Sequence, residues 1–110
     1  MTGPSWVPTI DEVKVRDGAY VAVYPKGLGV LLVRIDGDLF AVSNKCAHMG
    51  CPLEGGKLEG PVLTCPCHDW RFDLRTGVFL DAPELALATF PVKVEEGKIH
   101  VEVGGRDDDR

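Results

Sequence analysis

Two short clusters, Cys46-Ala47-His48 and Cys65-Pro66-Cys67-His68, constrain this chain more than any other feature. Each offers one thiolate and one imidazole, and sixteen residues separate His48 from Cys65. Residues in this C-x-H and C-x-x-H pattern are metal ligands by type and by spacing, so the fold has to bring two separate loops to one point. Two cysteines and two histidines also satisfy tetrahedral zinc. Zinc fingers, however, usually pair like with like, as C-x₂₋₄-C and H-x₃₋₅-H. Here each cluster mixes the two, and the flanking segments read as β-strand rather than finger helix.

No long helical period occurs anywhere in the chain. Short runs of β-formers are separated by glycine and proline turns. Ala19-Tyr20-Val21-Ala22-Val23-Tyr24 and Val30-Leu31-Leu32-Val33-Arg34-Ile35 are predicted strands. Asp36-Gly37-Asp38 is a hairpin signal, with Leu39-Phe40-Ala41-Val42 as the return strand leading to the first cluster. Val62-Leu63-Thr64 leads into the second cluster and Arg71-Phe72-Asp73 leads away from it. Val78-Phe79-Leu80, Thr89-Phe90-Pro91-Val92-Lys93-Val94 and Lys98-Ile99-His100-Val101-Glu102-Val103 complete the set. In the last of these, alternation puts Ile99, Val101 and Val103 on one face and Lys98, His100 and Glu102 on the other. His100 has no ligand-spaced neighbour and reads as a surface residue. One helical turn is predicted near Thr9-Ile10-Asp11-Glu12-Val13. The expected architecture is antiparallel all-β, a sandwich or barrel-like domain with a small subdomain of two hairpin loops carrying the ligands.

At 110 residues the chain is expected to form one domain, residues 1–110, with a frayed tail over about 104–110. A hydrophobic content of 45% against 26% charged residues excludes a disordered chain. The formal charge of −5, with no lysine–arginine run, argues against nucleic-acid binding and suits a basic partner surface. No apolar run is long enough for a membrane span, and the first residues carry neither the basic start nor the apolar core of an export signal. A cytoplasmic, soluble protein is the expectation.

From about Tyr20 to Val103, the ligand spacing and its flanks resemble the Rieske-type [2Fe–2S] ferredoxin family. The resemblance implies that Cys46 and Cys65 hold one iron and His48 and His68 the other. Two ferric ions are then balanced by two sulfides and two thiolates, so the oxidised group is formally neutral. It accepts an electron more readily than a four-cysteine cluster, at roughly −150 to +300 mV. In high-potential Rieske proteins the residues matching Cys51 and Cys67 form a disulfide tying the two loops together, and the resemblance implies the same pair here. Those proteins also have hydroxyl donors to the sulfurs where this chain has Trp70 and Phe72. Their absence implies a potential in the lower half of the range.

Met49, Gly50, Pro52, Trp70, Phe72 and Pro83 are the expected surroundings of the cluster. Pro83 matches the family's proline loop, and Gly50, Gly55 and Gly56 allow tight loop turns. There is no nucleophile–base pair and no open metal position, so the chain is not expected to be an enzyme. The implied function is that of a soluble one-electron carrier between a reductase and a terminal oxidoreductase such as an oxygenase. The alternative is a small Rieske subunit of a larger oxidoreductase, of the nitrite-reductase small-subunit type.

Overall fold

Val30-Leu31-Leu32-Val33 is fully buried at every position, which an amphipathic strand with one wet face would not be. The reason is a central sheet covered on both sides. In the computed structural model, which describes residues 6–44, 53–67 and 69–103, the strands are β1 (Trp6–Asp11), β2 (Tyr20–Val23), β3 (Val30–Ile35), β4 (Asp38–Ser43), β5 (Lys57–Glu59), β6 (Val62–Thr64), β7 (Arg71–Asp73), β8 (Val78–Phe79), β9 (Thr89–Phe90), β10 (Val92–Glu95) and β11 (Lys98–Glu102). They form three antiparallel sheets, in the orders β1-β11-β10, β2-β3-β4-β9 and β5-β6-β7-β8. Among the described residues no helix is long and apolar enough to cross a membrane.

The two faces of β3 feed two cores. Val30 and Leu32 pack with Ala41, Phe90, the inward-facing Ile99 and Val101 of β11, and Val103 just beyond it. Leu31, Val33 and Ile35 pack with Val42, Leu53, Leu63, Phe72 and Phe79, under the small third sheet. Register places Leu58, Leu63, Phe72 and Phe79 side by side across β5 to β8, so one apolar row floors the third sheet. The hairpin expected at Asp36-Gly37 joins β3 to β4. Ile35 pairs with Asp38, and both turn residues have positive φ, 53° and 87°. Those values define the type I′ turn, whose twist matches the strands it connects. The alternation expected in β11 holds, with Ile99 and Val101 fully buried.

Two details differ from the sequence expectations. Of the helical turn predicted over Thr9-Ile10-Asp11-Glu12-Val13, the first three residues belong to β1, while Glu12 and Val13 do form a helical turn, the 3₁₀ segment Glu12–Lys14. Thr9 Oγ1 donates to the carbonyl of Ile99 at 2.8 Å, a tertiary bond that local propensity cannot anticipate. The strand expected over Thr89–Val94 is broken at Pro91, which has no N–H to continue a ladder. Its first half joins the central sheet and its second half the outer one. The second ligand cluster lies on the β6–β7 hairpin; the first lies outside the described residues, on the chain between β4 of the central sheet and β5 of the third.

Candidate metal centre

The β6–β7 hairpin delivers the second cluster. Cys65 follows Thr64 directly, and its N–H donates to the Trp70 carbonyl at 2.7 Å while its own carbonyl accepts from Asp69 N–H at 3.0 Å. These two bonds close a tight loop from Cys65 to Trp70. Asp69 completes the reversal in the left-handed region at φ 59°, which Asp tolerates better than most residues. Cys65 is a free thiol with no exposed surface, set into the apolar core beside Leu53, Leu63 and Phe72. Cys67 is exposed. No disulfide joins two described cysteines; Cys67 is disulfide-bonded, and its partner lies outside the described residues.

Trp70 extends from the end of this loop over the core. Its ring stacks face to face on Phe79, with centroids 4.0 Å apart and planes 5° apart. Phe72, fully buried, meets Phe79 at 5.4 Å in a tilted contact. The indole and the two phenyl rings form a rigid apolar slab under the loop. The connection after β8 folds back over this slab. Leu80 N–H donates to the Arg71 carbonyl at 2.9 Å, and Phe79 N–H to the Leu85 carbonyl at 3.0 Å. Pro83 sits exposed in the turn between Ala82 and Leu85.

The base of the first ligand segment is held by side chains that the sequence reading did not single out. Asn44 Oδ1 accepts from the N–H groups of Leu53 and Glu54, at 3.0 and 2.9 Å. Tyr20 Oη donates to the Gly56 carbonyl at 2.7 Å and accepts from Gly55 N–H at 2.9 Å. Gly56 is where the two loops meet: a Cβ there would stand 2.3 Å from the Thr64 carbonyl oxygen and 3.0 Å from that of Leu53. In sequence, asparagine and tyrosine near a turn look like ordinary turn and strand residues, so no local signal marks them.

Cys46, His48, Met49, Gly50, Cys51, Pro52 and His68 lie outside the described residues. Among the described residues, no three of the His, Cys, Asp and Glu side chains gather as a metal site. Of the four candidate ligands, Cys65 is therefore the one whose surroundings are visible. A free thiol, sealed from solvent at the closure of a tight loop, fits a metal thiolate.

On the other side of the third sheet, Asp73 anchors the turn into β8. Its Oδ2 accepts from Arg75 Nη2 at 2.8 Å, and its Oδ1 accepts from Arg75 Nε and from the Arg75 backbone N–H. The hydrogen bond from the Arg75 side chain holds the Asp73 carboxyl below its ordinary value, outweighing the opposing effect of partial burial. A carboxyl shifted in this direction favours the folded state above its ordinary titration range, and the contribution is lost as pH falls through the lowered value. Melting temperatures at pH 7 and pH 3 should thus differ less in Asp73→Asn than in the unmodified protein. Equal pH dependence in the two would show that the pair contributes nothing to folding.

Residues 5–91 match the Rieske [2Fe-2S] domain family, and the chain belongs to it. The ferredoxin component of the naphthalene 1,2-dioxygenase system of Pseudomonas aeruginosa is 30% identical over 99 residues, which cover 89% of this chain and 95% of that protein. Among solved structures, the terminal oxygenase of carbazole 1,9a-dioxygenase from Novosphingobium sp. KA1 aligns over 93% of this chain at 26% identity and a TM-score of 0.84; the match spans 30% of the oxygenase chain. A chain in the complex of reduced oxygenase and oxidized ferredoxin in carbazole 1,9a-dioxygenase aligns over 88% of this chain and 92% of its own length, at 27% identity and a TM-score of 0.79.

Proposed function

We propose that this chain is a one-electron carrier that passes electrons from a reductase to a terminal oxygenase, acting as a non-catalytic component of an oxidoreductase system in the cytoplasm. The observation that carries this reading is the state of Cys65: a buried, unoxidised thiol at the closure of the β6–β7 loop, in a chain whose full-length relative is a dioxygenase ferredoxin component. In this reading Cys46 and Cys65 are the thiolate ligands of one iron, and His48 and His68 the imidazole ligands of the other. When bound, the [2Fe–2S] group takes up and returns a single electron.

The chain's own residues do the rest. The apolar core around Cys65 excludes water from that thiolate, so its charge is balanced by metal rather than by solvent. The closed backbone of the Cys65–Trp70 loop holds the donor in place, so the site changes little between its two charge states. The second ring nitrogens of His48 and His68 are the atoms at which a proton is held or released as the charge of the site changes. Cys51 is the partner we assign to Cys67, which is disulfide-bonded to a residue outside the described set. That bond joins the two ligand segments. Met49, Gly50 and Pro52 complete the first of them, and Trp70, Phe72 and Pro83 back the second.

Dithionite titration tests the reading. Uptake of one electron per chain, with the low-average-g paramagnetic resonance signal of a reduced Rieske centre, is the expected result. Cys65→Ser and His68→Ala should each abolish the visible absorption and that signal. A colourless protein that binds zinc stoichiometrically and takes up no electron would overturn it.

A further inference from the structure

Asn44 is the one polar or charged residue that is fully buried among the described residues, at 5% exposure. Its place in the chain is distinctive. It stands two residues before Cys46, and Leu53 stands two residues after Cys51. Asn44 Oδ1 accepts from the N–H groups of both Leu53 and Glu54, at 3.0 and 2.9 Å. Its own backbone N–H donates to the Gly29 carbonyl at 3.0 Å, and the preceding Ser43 N–H donates to the Ala88 carbonyl at 2.8 Å. One carboxamide therefore ties the exit of the ligand segment to its entry, and the entry is pinned to two other parts of the fold.

A buried carboxamide is costly unless its atoms are satisfied, and the cost of leaving two backbone N–H groups without an acceptor is larger still. A solvent-exposed loop needs no such closure, because water would satisfy the same groups. Asn44 is also a poor choice for packing alone, where an apolar residue of the same size would serve. The arrangement makes sense if the segment it closes must hold one shape.

We infer that Asn44 is a positioning residue for the metal centre: by binding the backbone of Leu53 and Glu54 to the end of β4, it fixes the two ends between which the first ligand segment runs. This rests on the ligand assignment proposed above. Leu53, which receives the closure, packs in the same core as Cys65, so the carboxamide couples the first ligand segment to the floor beneath the second ligand loop. The role is exerted through the backbone of the segment, as expected of groups that orient ligands without touching the metal.

The test compares Asn44→Leu, which removes the acceptor at nearly constant size, with Asn44→Asp, which keeps an oxygen in the same place. Thr9→Val serves as a control that deletes a hydrogen bond in the outer sheet, from Thr9 to the Ile99 carbonyl. Each purified holoprotein is challenged with an iron chelator while the visible absorption is followed, and its paramagnetic resonance spectrum and midpoint potential are recorded. Asn44→Leu should release iron at least about tenfold faster than the unmodified protein, with a changed spectrum and potential, because more than one backbone bond is lost. Asn44→Asp should release iron at a rate within about threefold of the unmodified protein, and Thr9→Val should leave spectrum and potential unchanged.

If Asn44→Leu behaves as the unmodified protein does, or Asn44→Asp loses iron as fast as Asn44→Leu, the inference fails. Should Asn44→Leu not fold, Asn44→Asp decides alone: retention of the centre supports the inference and its loss overturns it. An unmodified protein without the resonance signal would instead sink the ligand assignment.

Discussion

Gly56→Ala is expected to eject the metal centre and to destabilise the fold by about 2–3 kcal/mol. The reason is a collision with backbone. A Cβ at position 56 would lie 2.3 Å from the Thr64 carbonyl oxygen, 3.0 Å from the Leu53 carbonyl oxygen and 3.3 Å from Pro66 Cδ. A flexible side chain could swing away from such a contact; a carbonyl at the end of a strand cannot. To make room, either the end of β6 or the exit of the first ligand segment has to move by about 1 Å, the gap between 2.3 Å and an ordinary contact. Thr64 precedes Cys65, and Gly56 is bonded by Tyr20 at the base of the other segment, so any relief displaces ligands. Gly60→Ala is the matched control. Gly60 adopts a φ of 59° with nothing within 4 Å of the Cβ position, so alanine there costs about 1 kcal/mol from backbone conformation alone and leaves the centre intact. Denaturant unfolding together with the visible absorption measures both. Equal behaviour of the two variants would show that the contact between the loops is not what holds them.

The second large effect falls on Phe72. Phe72→Ala should cost about 3–5 kcal/mol, because the ring is fully buried and its removal leaves a cavity the surrounding sheet cannot fill. A domain of this kind holds only about 5–15 kcal/mol of stability in total, so the loss consumes a large part of it. The consequence is also directional. Phe72 is paired with Leu63 on β6 and Phe79 on β8, and it lies under the indole of Trp70. Without it, the hairpin carrying Cys65 loses its floor, and the face of the central sheet that packs on the same core loses a contact. Phe72→Leu, which keeps most of the volume, should cost less than about 2 kcal/mol and retain the visible absorption. Urea unfolding of the two variants separates them, and comparable losses would mean that the ring contacts of Phe72, rather than the volume it fills, carry the effect.

Much of this molecule was legible in one dimension. The β3–β4 hairpin follows from two runs of β-forming residues meeting at Asp36-Gly37, a dipeptide suited to two positive φ values. The inward face of β11 follows from simple alternation. The candidate ligands followed from residue type and spacing, since few other chemistries need a thiolate and an imidazole in each of two clusters. Other features were hidden because distant partners decide them. Thr9 looks helical in its own neighbourhood, but it lies in β1, whose pairing with the distant β11 makes the segment a strand. Pro91 reads as an interruption, yet nothing local says that the halves on either side belong to different sheets.

The two clusters by themselves supplied the candidate ligands, a thiolate and an imidazole in each, because those side chains carry that chemistry wherever they are placed. How the ligand loops are held was decided by the tertiary structure alone. The first segment crosses between two sheets, Gly56 lets it touch the end of β6, and Asn44 closes it from the buried side. Such contacts depend on non-local backbone hydrogen bonds and on the absence of a single carbon atom, and neither leaves a periodic mark in the sequence.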